Sequence, residues 1–115
     1  MLHSVTSDDS VDAFHQATVE RFGPVDILAN AAGITAEQTI VGHPDALWAK
    51  VIDVNLTGTF RAIKRVLPGM IDRGWGRIIN ISGLAARQTG NAVGSMRNVA
   101  VAALTKNLAD ELGPF

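Results

Sequence analysis

The polar residues of this chain that could do chemistry are few, and most stand at the ends of apolar runs. Residues 25–29 form a short apolar run interrupted only by Asp26 and closed by Asn30, Ala31, Ala32 and Gly33. A glycine just past a strand end permits either close backbone approach or a positive φ, and open α/β sheets take their ligands outside the carboxyl ends of their strands. Asn30, Ala32 and Gly33 hold that place, although an ordinary strand-to-helix turn has the same composition. Asn55 is the next candidate. It lies between apolar Val54 and Leu56 in a helical stretch, where a side-chain amide competes for backbone groups. It either satisfies a backbone carbonyl or serves a site.

Other chemistries are excluded. The chain has no cysteine, which removes disulfides, thiolate metal sites and cysteine nucleophiles together. His3, His15 and His43 follow no ligand spacing and are expected to face solvent. Trp48 and Trp75 read as packing and loop residues rather than a ligand-stacking pair. Gly74 and Gly76 lack a third glycine and precede a strand, so they do not make a phosphate-cradling turn. With a net charge of −1 and no block of like charge, neither nucleic acid nor an anionic membrane is an expected partner. There is no N-terminal apolar run and no stretch near the roughly 18 apolar residues of a membrane span, so a cytoplasmic location is expected.

The elements that must position these residues follow from periodicity. At 115 residues, 47% apolar and 18% charged, the chain makes at most one globular domain. Thr6 or Ser7 can cap a helix whose first turn holds Asp8 and Asp9, whose apolar face is Val11, Phe14 and Phe22, and which Gly23 and Pro24 stop. A buried strand over 25–29 follows. Trp48, Val51, Ile52, Leu56, Phe60, Ile63 and Leu67 then recur at helical spacing over 46–72, with Thr57-Gly58-Thr59 weak at the middle and Pro68-Gly69 bending the helix or ending it early. Residues 77–81 make a second buried strand, ending at Ser82 and Gly83. Residues 95–112 are apolar on nearly every face, as in a helix buried on several sides. The order helix, strand, helix, strand, helix points to an α/β fold with a parallel sheet covered by helices on its faces.

Four motifs carry a resemblance. Arg21-Phe22-Gly23-Pro24-Val25-Asp26-Ile27-Leu28 with Asn30-Ala31-Ala32-Gly33 resembles the segment of short-chain dehydrogenases/reductases that runs from a helix into the fourth strand and its Asn-Asn-Ala-Gly turn. Residues 54–60 are similar to that family's central-helix motif, and Gly76-Arg77-Ile78-Ile79-Asn80-Ile81-Ser82 to its fifth strand. Residues 102–106 and 108–114 resemble the helix after the family's active-site Tyr. The resemblance covers nearly the whole chain and implies part of a Rossmann-like, doubly wound parallel sheet. It also implies hydride transfer between NAD or NADP and a carbonyl or alcohol, with Asn30, Ala32, Gly33 and Val54 beside the nucleotide. Asn55 then falls on the residue that bends the central helix and supports a water in the proton relay, and Ser82 lies one position before the Ser that meets the substrate carbonyl. In many relatives the helices matching 46–72 and 95–112 form a dimer interface, so a homo-oligomer is expected.

The same resemblance shows what is missing. The Tyr position falls on Gly94 and the Lys position on Asn98, and the chain contains no tyrosine. Arg97 stands beside them, but a guanidinium stays protonated and could bind an anion without shuttling a proton. No Gly-rich pyrophosphate turn precedes the first helix, and the family's acidic adenine-facing position falls on Ser4. The chain therefore reads as beginning near the family's third strand and stopping before its sixth. Three readings follow: a truncated oxidoreductase, inactive alone; a catalytically silent scaffold; or an enzyme of unrecognised chemistry. A parallel pair with two open edges is a poor independent unit, so the isolated chain is expected to be marginally stable or to self-associate. A sharp, reversible, monomeric transition in calorimetry across protein concentrations would overturn that expectation.

Overall fold

The computed structural model describes residues 4–33, 41–81 and 92–113. Ser7 caps α1 (Asp8–Phe22): its hydroxyl accepts from the Ser10 amide at 3.2 Å, while Asp8 and Asp9 complement the positive end of the helix dipole. At the other end Gly23 adopts a φ of 87°, a conformation that residues with a Cβ rarely adopt, and its amide donates to the Val19 carbonyl at 2.9 Å.

The first strand begins and ends later than the apolar run suggests. β1 (Ile27–Asn30) pairs in parallel with β2 (Arg77–Asn80), Ile27 opposite Arg77 and Asn30 opposite Asn80. The reason is tertiary. Arg73 donates to the Val25 carbonyl at 2.7 Å and approaches the Asp26 carboxylate at 3.6 Å, so Val25 is committed elsewhere and pairing opens with the Arg77 amide donating to the Asp26 carbonyl at 3.0 Å.

The long helix expected over 46–72 is realised as α2 (Asp45–Ile52), a π-helical turn (Asp53–Thr57) and α3 (Gly58–Arg73). Of the two outcomes left open at Pro68, a bend or an early end, the early end does not occur. Proline removes only the amide that would reach Lys64, and Pro68 lies on the exposed side while Val66 and Met70 on the inner side are buried. Their burial carries α3 past the proline to Gly74, which closes it in the left-handed region at φ 69°. The irregularity falls instead at the π-helical turn.

Helix α4 (Ala92–Leu112) starts three residues before the expected 95. α3 packs against β1, α4 against β2, and α1 against α3. Leu28, Asn30, Ile78 and Asn80 are half-buried beneath this helical layer, whereas Ile27, Ala29, Arg77 and Ile79 alternate onto an exposed face. The two strands are thus covered on one side only, with Ile27 57% and Ile79 50% exposed. A short apolar run does not reveal whether one face or both will be covered. The core is correspondingly small: Val11, Val51, Ile63, Val66, Met70 and Val101. On α1, Val11 is buried but Phe14 and Phe22 of the expected apolar face are exposed, and Asp8 and Asp12 reach across to Arg61 and Arg65 of α3. Nor is α4 buried on several sides; Asn98 and Val101 are, but Val99 is exposed.

The outcome is a slab of 47 × 34 × 16 Å, close to one helix layer on one sheet layer. It exposes 7622 Å², against the ~6,100 Å² expected of a 12.2 kDa monomer. Among the described residues no helix is long and apolar enough to cross a membrane. Since Ile79 stands on the bare face, Ile79→Lys should change stability by less than about 0.5 kcal/mol and reduce self-association. Ile63→Ala, inside the core, should cost about 2–5 kcal/mol. Denaturant titration with sedimentation velocity checks both, and a large loss for Ile79→Lys would mean that the bare face is buried in solution.

Candidate functional site

Two polar arrangements lie at the carboxyl ends of the strands. The first begins where β1 and β2 finish in register partners. The Asn30 amide donates to the Asn80 amide oxygen at 2.8 Å, the Asn80 amide donates to the Thr105 hydroxyl at 3.0 Å, and Thr105 donates to the Val101 carbonyl at 2.8 Å. Each group accepts from one neighbour and donates to the next, which ties both strands to α4. Asn80 and Thr105 were not singled out from the sequence. The signal was nonetheless there, since both apolar runs pass into an asparagine at the same point.

The second arrangement centres on Asn55, which is only 5% exposed in the π-helical turn. Its amide donates to the Val51 carbonyl at 2.9 Å and its backbone carbonyl accepts from the Thr59 hydroxyl at 3.1 Å. Two described groups lie against its amide oxygen. Arg97 Nη1 donates to it at 3.4 Å, and a Cβ placed on Gly33 would fall 2.7 Å from it. Gly33 has no positive φ. Of the two uses of a glycine past a strand end, this is close approach, and the approaching group is Asn55 itself. Arg97 Nη1 also lies 3.4 Å from the amide oxygen of Asn98, which is 5% exposed.

The remaining sequence-predicted residues divide. Asn30, Ala32 and Val54 line a groove of 540 Å³ along the free side of β1, together with apolar Val5, Val11 and Phe14. Ala31, Ala32 and Gly33 are exposed, so the backbone beyond β1 is open to approach. Ser82 lies outside the described residues, as does His3. His43 corrects the expectation of solvent-facing histidines: its Nδ1 lies 3.2 Å from the Pro44 carbonyl oxygen, its ring meets Trp48 edge-on at 6.2 Å, and its Nε2 is buried without a hydrogen-bond partner. Among the described residues no three His, Asp or Glu side chains come together as a metal site.

A further cluster was missed from the sequence. Arg61 joins Asp53 at 2.7 Å and the Val5 carbonyl at 2.6 Å, and Arg65 joins Asp12 and Asp8, the latter at 3.3 Å. The hydrogen bond to the Asp12 carboxylate raises the Arg65 pKa further above its ordinary value, with smaller contributions from the charges of Asp12 and Asp8 opposing a desolvation that lowers it. The i, i+4 spacing of Asp8 with Asp12 and of Arg61 with Arg65 was a legible signal.

The motif order and this two-layer geometry agree with a family profile described as short chain dehydrogenase, which matches residues 2–115. The chain belongs to the short-chain dehydrogenase family. Similar members include a putative ketoacyl reductase of Streptomyces coelicolor, 44% identical over 73% of this chain and 33% of its own length, and an acetoacetyl-CoA reductase of Allochromatium vinosum, 42% identical over 90% and 43%. Among solved structures, a variant of actinorhodin polyketide ketoreductase with NADPH superposes with a TM-score of 0.92 at 40% identity, covering 96% of this chain and 44% of that one. The chain spans less than half the length of these relatives. The fold is therefore α/β and Rossmann-like, and the helices described here form one of its layers.

The contact between Gly33 and Asn55 yields a direct test. Gly33→Ala should destabilise the chain by about 1–3 kcal/mol through overpacking. Adding Asn55→Ala, which removes the opposed oxygen, should recover part of that loss, with a coupling of about 0.5–3 kcal/mol in a double-mutant cycle read by denaturant unfolding. Additive losses would show that the two residues do not meet.

Proposed function

We propose that this chain supplies the central section of an NAD(P)-dependent oxidoreductase acting on a carbonyl or alcohol of a small molecule, and that alone it is catalytically silent. The observation that carries the second half is the content of the two proton-handling positions. Gly94 and Asn98 stand where the family has Tyr and Lys, and there is no tyrosine elsewhere in the chain. Asn98 is buried, with its amide oxygen facing Arg97. An amide neither carries charge nor depresses a neighbouring phenol's pKa as an ammonium does, so these two positions hold no acid of suitable strength.

The first half rests on family membership and on the open backbone past β1. Asn30, Ala32, Gly33 and Val54 would lie beside the adenosine ribose, and the exposure of Ala31, Ala32 and Gly33 suits close approach of a ligand. No Gly-rich turn in the chain fits the pyrophosphate. When bound, the nicotinamide supplies or accepts the hydride. The residues of this chain contribute position: Asn55 fixes Gly33, and the amide chain fixes α4. A reducing cytoplasm suits a sequence without cysteine.

A second reading, a silent scaffold that dimerises through residues 46–72 and 95–112, is favoured by Trp48, Phe60 and Val99, which leave apolar surface on those helices. Thermal unfolding with NADH or NADPH at about 100 times the dissociation constant separates the readings, since binding to the folded state alone adds roughly 2.7 kcal/mol. No oxidation of NADPH by a ketone panel is expected, and a raised midpoint would show that nucleotide binding persists without a Gly-rich turn. An unshifted midpoint would remove nucleotide binding by this chain, and turnover would remove its silence. A concentration-dependent dimer without a ligand shift would favour the scaffold.

A further inference from the structure

Among the described arginines Arg97 has an unusual set of partners. Arg61, Arg65 and Arg73 each meet at least one carboxylate. Arg21 and Arg77 are exposed and lie over the rings of Phe22 and Trp75. Arg97 is half-buried, and among the described residues no Asp or Glu lies within ion-pair distance of it. Among the described residues it donates from Nη1, to two amide oxygens, both at 3.4 Å, the long end of the range for N–H···O bonds. Its Nε and Nη2 donors have no partner among the described residues.

Both amides are buried, and each is part of the fold. Asn55 is fixed by Val51 and by its packing on Gly33, and Asn98 lies one turn before buried Val101. They orient the guanidinium without neutralising it, because an amide oxygen is a dipole end and not a charge. Asp53, the acid nearest Asn55 in sequence, is committed to Arg61 at 2.7 Å. A half-buried guanidinium with no carboxylate beside it and two unused donors among the described residues is suited to a planar or tetrahedral oxyanion, which accepts two N–H bonds at once.

We propose that Arg97, held by Asn55 and Asn98, is an oxyanion-binding site at the carboxyl end of the sheet, taking a carboxylate or phosphate group of the bound molecule. The site deepens the proposed function and rests on it for the ligand's identity: the oxyanion belongs either to the nucleotide, as phosphate, or to the substrate, as carboxylate. Asn98 leaves the family's Lys position uncharged, and Arg97 carries a positive charge one residue away.

The test is a titration of the 115-residue chain with inorganic phosphate and, separately, with butyrate, at constant ionic strength. Arginine Nε–Hε resonances are followed by NMR, with Arg97 assigned through Arg97→Lys. Saturable movement of the Arg97 resonance, larger than that of exposed Arg77, is expected for at least one anion. Arg97→Gln should weaken binding of that anion by about tenfold, equivalent to ~1.4 kcal/mol. A response to phosphate alone assigns the site to the nucleotide, and one to butyrate alone assigns it to a substrate carboxylate. If Arg97 ignores both anions, or moves no more than Arg77, the proposal is overturned using the wild-type chain itself. The nucleotide titration by thermal unfolding is a separate reading, so phosphate binding with no NADPH shift would remove the cofactor assignment while keeping the oxyanion site.

Discussion

A ladder of four residues per strand is short for a parallel pair, whose bonds are slanted and slightly weaker than antiparallel ones. What secures it is the chain of amides from Asn30 through Asn80 to Thr105 and the Val101 carbonyl. It joins the two strand ends to each other and both to α4, and its donors and acceptors are ordered in one direction. Removing Asn80 would break two of these bonds at once, with water free to take up the exposed Thr105 hydroxyl. The same connection sets the azimuth of α4. Asn98, Val101 and Thr105 occupy one stripe at helical spacing, so fixing Thr105 on Asn80 turns Asn98 inward and brings Arg97 to Asn55.

Asn55 is the counterpart on the other long helix. A π-helical turn widens the backbone by one residue and disturbs the regular i−4 bonds, and here the Asn55 amide and the Thr59 hydroxyl take up the carbonyls of Val51 and Asn55. The weak helix formers Thr57 and Gly58 border the turn. Gly58 has a packing reason as well, since a Cβ there would fall 2.7 Å from the Val5 side chain. The segment leading into α1 can therefore lie directly on α3, where the Val5 carbonyl meets Arg61.

Much of this was legible in the sequence because it is local. The caps at Ser7 and Gly23, the order of elements and the strand-end glycine all depend on residues within a few positions of one another. The misread features depend on distant partners. Nothing near Val25 says that Arg73 will claim its carbonyl and delay the strand, and nothing near Pro68 says that Val66 and Met70 will be buried deeply enough to carry the helix through. For Asn55 the sequence left two readings, and the structure supplies a backbone carbonyl for its amide while setting its oxygen between Gly33 and Arg97. The one-sided cover of the sheet was least accessible, because periodicity in a run of four or five residues carries no information about which layers will arrive.

That one-sided cover has a thermal consequence. The heat-capacity change of unfolding arises mainly from apolar surface newly exposed to water, and a typical domain gains about 12–15 cal/mol/K per residue. A slab 16 Å thick that leaves Ile27 and Ile79 wet has less such surface to release than a rounded domain of equal length. A smaller heat-capacity change flattens the stability curve, so stability should vary less steeply with temperature on either side of its maximum.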